Sequence, residues 1–128
     1  MAPWFLTPLN LHDLDGTRFE LLSPLVYTTK ASRIITVPAG FVTDFASIPR
    51  FLWWRYPKSG KWNRAAVVHD YLYATNGCTR GEADGIFKEA LGVCDVGWRT
   101  RQEFWLAVRA GGWKSWNNYR QKESSDVL

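Results

Sequence analysis

The sequence predicts an α+β protein in which a small antiparallel N-terminal sheet is followed by about three C-terminal helices packed on one face of it. Residues 1–45 contain short segments rich in β-branched side chains, joined by links too short for parallel crossovers. From residue 61 onward the apolar residues recur at helical spacing. The chain has 128 residues, which is the length of one domain.

Four short strands are predicted in the N-terminal part. Turn sequences at residues 13–16 and 38–40 separate segments that alternate polar with apolar residues or are β-branched. The predicted strands are residues 18–21, 25–29, 33–37 and 41–43. Asp44 ends the last strand, where its carboxylate either bonds the amides of the following turn or belongs to a site.

Three helices are predicted after the strands, at residues 61–73, 79–91 and 96–110. Thr79 and Glu82 have the spacing of a capping box at the start of the second helix. Gly111 and Gly112 are expected to end the third helix. Residues 1–118 then form a single globular domain, and the polar residues 119–128 are expected to be a poorly ordered tail.

Several ionisable residues lie within strongly apolar segments, where a charge is costly unless it is paired or binds a metal. A buried network, in which Asp44 and Asp84 pair with Arg101 and His69, is one interpretation. Another is a small metal-assisted hydrolase that cuts a cell-wall or nucleic-acid bond. In that interpretation Asp44, His69 and Asp70 are both catalytic residues and ligands of one divalent metal ion.

The histidine count weakens the metal interpretation. Only His12 and His69 are present, and the motifs HExxH and CxxC are absent. A third interpretation makes Ser47 a nucleophile with His69 as its base, but the chain lacks the GxSxG motif and Ser47 is well placed as a helix N-cap. The sequence alone leaves these alternatives open.

Residues 50–64 interleave five cations with five aromatic residues and contain no acid. This composition is typical of a contact surface, because aromatic residues and arginine are enriched in the centres of interfaces. A net charge of +4 is small for a nucleic-acid-binding protein, so a protein partner is favoured over nucleic acid. The predicted binding residues are Arg50, Trp53, Trp54, Arg55, Lys58 and Lys61.

Other features narrow the class of protein. No run of about 18 apolar residues is present, so no membrane span is expected. The N-terminal residues lack the basic and apolar regions of a signal peptide. Cys78 and Cys94 are expected to be free thiols in a reducing cytosol.

Four motifs carry a resemblance to a known family: TDFASIPR at residues 43–50, HDYLY at 69–73, Arg80 followed by Ala83-Asp84, and AVRAGGW at 107–113. In this order they resemble a domain-of-unknown-function family carried by tailed bacteriophages and prophages, over roughly residues 18–116. The resemblance implies phage origin and supplies no reaction.

The resemblance suggests a virion or host-envelope role. A virion- or tail-associated accessory protein is favoured over the metal-assisted enzyme because the histidine count is poor for a metal site and a buried network explains each charge. Its expected partner is a phage structural protein or a host protein, bound through the Trp-rich basic surface of residues 50–64. The expected location is the host cytoplasm during infection, or the virion. A homo-oligomer is left open.

Overall fold

The computed structural model describes residues 2–45, 62–75 and 77–126, with side chains described as far as Lys122. Within these ranges six strands are followed by four helices, which confirms the predicted α+β class. The strands are β1 (Trp4–Phe5), β2 (Leu11–Asp13), β3 (Phe19–Leu21), β4 (Leu25–Thr28), β5 (Ile34–Val37) and β6 (Val42–Thr43). The helices are α1 (Asn63–Ala74), α2 (Arg80–Val93), α3 (Trp98–Gly111) and α4 (Trp113–Asp126).

The strands form two small antiparallel sheets, with the orders β1-β4-β5 and β2-β3-β6. Side chains alternate between the two faces of a strand, so Leu25 and Tyr27 of β4 are buried on the same side as Ile35 and Val37 of β5. In the second sheet β3 pairs with β6, and Thr43 is the buried residue of β6. Strands β4, β5 and β6 all contact helix α1.

Helix α1 is the central helix, because it contacts strands of both sheets as well as helices α2 and α4. Nearly all of its residues from Ala65 to Tyr73 are buried. They include His69, which the helical spacing of residues 61–73 predicts to face inward. The capping box of α2 is confirmed, with the Thr79 hydroxyl accepting from the Glu82 amide and the Glu82 carboxylate accepting from the Thr79 amide.

Helix α3 buries Phe104 and Val108 against the neighbouring helices. The helical spacing of residues 96–110 predicts Trp98 on the same inner stripe as Phe104 and Val108, but its side chain is 63% exposed, so that prediction is wrong. The helix begins at Trp98, and the first turn of a helix makes fewer tertiary contacts than its middle. Across the described ranges, no helix has the length and apolar content needed to cross a membrane.

Helix α4 occupies part of the segment that the sequence predicts as a tail. Its residues pack through Arg120, which donates to the Tyr73 carbonyl at 2.7 Å and the Thr75 carbonyl at 3.3 Å, and which lies over the Trp116 ring. These carbonyls are at the C-terminal end of α1, where backbone acceptors lack helical partners and a cation is favoured. Because α4 is mostly polar, its sequence does not predict this attachment to α1.

Gly112 joins α3 to α4 in a space that only glycine fits. A Cβ at this position would lie 2.5 Å from the Tyr73 hydroxyl and 2.5 Å from the Val108 carbonyl oxygen. Such contacts require the backbone to shift, whereas a Cβ on the adjacent Gly111 would meet nothing within 4 Å. Gly111 therefore has room for a larger side chain and Gly112 does not. Gly112 allows α4 to approach α1 closely.

Candidate functional site

A cavity of about 500 Å³ opens between helix α1 and the α3–α4 joint. Helix α1 contributes three polar side chains to its wall, and Asp44 lies beyond the end of β6 at the same wall. The opposite wall is formed by α3 and α4. The lining residues are Asp44, His69, Asp70, Tyr73, Ala107, Val108, Gly111, Gly112, Ser115, Asn118, Tyr119 and Lys122.

Asp84 of α2 is the anchor behind the α1 wall, and its side chain is 0% exposed. Its Oδ1 accepts from the Tyr73 hydroxyl at 2.6 Å and lies 2.7 Å from His69 Nε2. Its Oδ2 accepts from Arg109 Nη1 at 2.8 Å and from Arg80 Nη1 at 3.4 Å. Each carboxylate oxygen therefore faces two donors.

The protonation of this network follows from the charge balance. Burial raises the pKa of Asp84, but hydrogen bonds from His69 and Tyr73, together with Arg109, more than offset it, so the pKa is lowered overall. Burial and the hydrogen bond to Asp84 raise the pKa of the Tyr73 hydroxyl, which stays a donor. Because the Asp84 carboxylate is ionised, His69 donates to it through Nε2–H, and in the neutral ring Nδ1 is then the acceptor.

The His69 ring is fixed on both faces. Its centroid lies 4.3 Å from that of Tyr73 and 4.5 Å from that of Phe87, and the side chain is 1% exposed. Nδ1 is buried and has no hydrogen-bond partner among the described residues. A buried polar atom without a partner is rare in folded proteins and indicates an ordered water or a ligand.

Two carboxylates lie beside His69 on the cavity wall. Asp70 follows it in α1, is largely buried, and accepts a hydrogen bond from the Thr43 hydroxyl through Oδ2. Asp44 is exposed. Both line the same cavity as Tyr119 of α4. Burial raises the pKa of the Tyr119 hydroxyl, and the charges of Asp70 and Asp44 raise it further.

The cavity brings together all three residues that the sequence selected as catalytic or metal-binding, namely Asp44, His69 and Asp70. The predicted pairing of His69 with Asp84 is confirmed, but the arginine assigned to this network is wrong. Arg101 lies against Gly92 instead and does not line the cavity. The helical period alone could not separate it from the arginines that Asp84 uses.

Three contributors to the network were missed. Arg80 stands four residues before Asp84, a spacing at which side chains on one helix meet, and this signal was available in the sequence. Arg80 also donates to the Val108 and Arg109 carbonyls at the end of α3. The contacts of Arg109 and Tyr73 with Asp84 depend on how α3 and α1 approach α2, which no local pattern reveals.

The other predicted site residues lie outside the described residues. They are Ser47 and the predicted binding residues Arg50, Trp53, Trp54, Arg55, Lys58 and Lys61. Among the described residues, no group of three or more His, Cys, Asp or Glu side chains is placed to hold a metal ion. Only Glu123 and Asp126 among these residue types have side chains beyond the described part. Cys78 and Cys94 are free thiols, as predicted.

One family model, described as "Protein of unknown function (DUF1353)", matches residues 19–108. The chain belongs to this family. The DUF1353 match includes β3 through most of α3 and therefore contains Asp44, His69, Asp70, Tyr73 and Asp84. Helix α4, which forms much of the opposite cavity wall, lies beyond the DUF1353 match.

No curated protein matches the sequence. No solved structure matches it either.

Proposed function

We propose that this DUF1353 protein is a small hydrolase in which His69 acts as the general base. The observation that carries the proposal is the orientation of the imidazole. Nε2 is bonded to the buried Asp84 carboxylate, while Nδ1 of this cavity-lining ring has no partner among the described residues. An imidazole oriented by a carboxylate, with its second nitrogen available for a substrate or water, is the arrangement that general-base catalysis requires.

In the proposed reaction, Nδ1 takes a proton from a water molecule while the water oxygen bonds to the substrate carbonyl carbon. The bond to the leaving amine then breaks, and the proton on Nδ1 is delivered to that amine. Asp84 stabilises the imidazolium formed between these steps, because its carboxylate is ionised and is held by Arg80 and Arg109. Tyr73 and Phe87 hold the ring in place.

The charge of the cavity favours a cell-wall bond over a nucleic-acid bond. Asp44 and Asp70 line the same wall as His69, and their carboxylates would repel a phosphodiester. We therefore place the substrate among cell-wall peptides, whose amide bonds are uncharged. A histidine base suits attack of water on an amide carbonyl, whereas glycosidases use a carboxylate pair.

We favour catalysis by His69 alone over metal assistance at Asp44, His69 and Asp70. The described ligand-type residues include no group of three that could hold an ion, and three protein ligands are usual at a catalytic zinc site. Activity should then survive a chelator.

The test is incubation of the purified protein with peptidoglycan, with single- and double-stranded DNA, and with RNA. We expect release of amino groups from peptidoglycan, lowered about 10²- to 10⁴-fold in His69→Gln. His12→Gln is the matched control, because His12 is exposed on β2 and should leave the rate unchanged. Absence of amine release by a folded protein, cleavage of nucleic acid instead, or loss of activity to a chelator with recovery on adding zinc would each contradict the proposal.

A second candidate is supported by the composition of residues 50–64 and by the phage resemblance. As this second candidate, we propose that the chain is a virion- or tail-associated accessory protein of a phage, present in the host cytoplasm during infection. It would bind a phage structural protein or a host protein through residues 50–64. A pull-down from infected cells that loses its partner in Trp53→Ala or Trp54→Ala, with the fold intact, would support it. Retention of the partner in both variants would contradict it.

A further inference from the structure

Helix α4 turns two adjacent faces toward the rest of the molecule. One face packs: Gly112 meets Tyr73 at the α3–α4 joint, Trp116 contacts the Tyr73 ring edge-on at 5.2 Å, and Arg120 bonds the carbonyls of α1. The other face lines the cavity. Its members are spaced by three, four and seven residues, which places them on one stripe of the helix, and they are Ser115, Asn118, Tyr119 and Lys122.

The cavity stripe consists of exposed polar side chains. A helix normally turns apolar residues toward the protein and polar residues toward water. The stripe contains a hydroxyl, an amide, a phenol and an ammonium group, and no aliphatic side chain. Because these side chains are exposed and line the cavity, their polar groups are accessible to a ligand bound there.

A second observation on the opposite wall also indicates a ligand. His69, which is 1% exposed, has a buried Nδ1 without a hydrogen-bond partner among the described residues. The cavity is therefore lined on its α1 wall by an imidazole with a nitrogen unpartnered within the described ranges, and on its α4 wall by donors and acceptors. Its volume of about 500 Å³ is in the range of small-molecule sites.

We propose that the cavity stripe of α4 recognises the substrate, and that it selects a ligand rich in hydroxyl and amide groups that also carries a carboxylate. This inference rests on the proposed hydrolase function and names its specificity. Asn118 can both donate to and accept from an amide, and Tyr119 offers a ring face and a hydroxyl. Lys122 supplies the positive charge for the carboxylate.

The charges also orient the ligand. Asp44 and Asp70 on the α1 wall repel a carboxylate, and Lys122 on the α4 wall attracts one. The anionic end of the ligand therefore lies against α4, and an uncharged bond lies nearer His69. The proposed catalytic residue is inside the DUF1353 match and this stripe is outside it, so recognition and chemistry are carried by different parts of the chain.

The first test measures binding of a soluble muropeptide, a disaccharide–peptide with free carboxylates, by calorimetry. The His69→Gln background prevents consumption of the probe, and wild-type protein in the cold replaces it should that variant unfold. Asn118→Ala should weaken binding about tenfold, since a net hydrogen bond contributes about 1 kcal/mol or slightly more. Asn117→Ala is the matched control, because Asn117 is exposed and does not line the cavity.

The second test separates charge from shape by using a neutral N-acetylglucosamine oligomer beside the muropeptide. Lys122→Gln should weaken muropeptide binding about tenfold and leave oligomer binding unchanged, and the control Lys114→Gln should change neither. Equal effects of Asn117→Ala and Asn118→Ala, or of Lys122→Gln on both probes, would overturn the inference. Muropeptide binding without hydrolysis would remove the proposed hydrolase and keep this inference. If none of the four substitutions changes the rate of hydrolysis, this inference is removed and the proposed hydrolase is kept.

Discussion

The two walls of the cavity are built on different principles. On the α1 wall, His69 and Tyr73 belong to a network that closes on the buried Asp84, whose two oxygens are both occupied by donors. On the α4 wall the polar side chains are exposed, and the helix is attached through its adjacent face. Substitutions in the network should therefore change the free energy of unfolding, whereas substitutions on the cavity stripe should change binding and leave stability nearly unaltered.

The largest effect on stability is expected at Asp84. Asp84→Asn keeps the shape of the side chain but removes the charge that Arg80, Arg109 and His69 surround, so we expect it to lower the free energy of unfolding by about 3 kcal/mol. Chemical denaturation measures this. Asp13→Asn makes the same change at the exposed end of β2 and should cost less than about 0.5 kcal/mol. Similar costs for both variants would show that the network does not hold the α1 wall.

The next effect is expected at the α3–α4 joint. Gly112→Ala places a Cβ 2.5 Å from a backbone carbonyl oxygen, so it should cost about 2 kcal/mol through overpacking. Gly111→Ala has nothing within 4 Å and should be neutral or slightly stabilising, because alanine is the better helix former. Thermal melts of the two variants provide the measurement. Equal melting temperatures would contradict the close approach of α4 to α1.

The network around Asp84 and helix α4 also differ in how far they could be predicted from the sequence. His69 and Asp84 were recognisable as partners because each is a charged or polar residue on an apolar stripe, and local helical periodicity places both inward. The assignment of Arg101 to the network is wrong because Arg101 and Arg109 both lie on α3, and the angle at which α3 crosses α2 decides which of them reaches Asp84.

Helix α4 was missed for a related reason. Among its described side chains, Trp116 and Arg120 pack against α1, and the sequence around them is as polar as a disordered tail. The stabilising contacts are with backbone carbonyls of α1, which leave no trace in the composition of either segment. Strand and helix positions set by β-branched runs, capping residues and glycines were predictable, whereas contacts set by the packing of helices were not.

A smaller effect is expected where α4 is attached to α1. Arg120→Ala removes the donors to the Tyr73 and Thr75 carbonyls, which can then reach water, so we expect a cost of about 1 kcal/mol. Hydrogen exchange should show the loss mainly in the amides of α4. Arg99→Ala is the control, because Arg99 is an exposed arginine in the first turn of α3. Unchanged protection of α4 in Arg120→Ala would mean that Trp116 alone attaches the helix.

The smallest effect is the acid dependence of the Asp84 contribution. The pKa of Asp84 is lower in the folded chain than its ordinary value of about 3.9, so the folded state favours the ionised form. Its contribution is therefore fully present above about pH 5 and is lost as the pH falls through the lowered folded pKa. The melting-temperature difference between wild type and Asp84→Asn should stay constant from pH 7 to about pH 5 and narrow below about pH 4. Hydrogen bonds also lower the pKa values of Asp15 and Glu82, but both carboxylates titrate in both proteins, so subtracting the two curves removes their effect. A difference that stays constant through the acid range would show that Asp84 stabilises the fold equally in its protonated and ionised forms, and that its charge is not what holds His69.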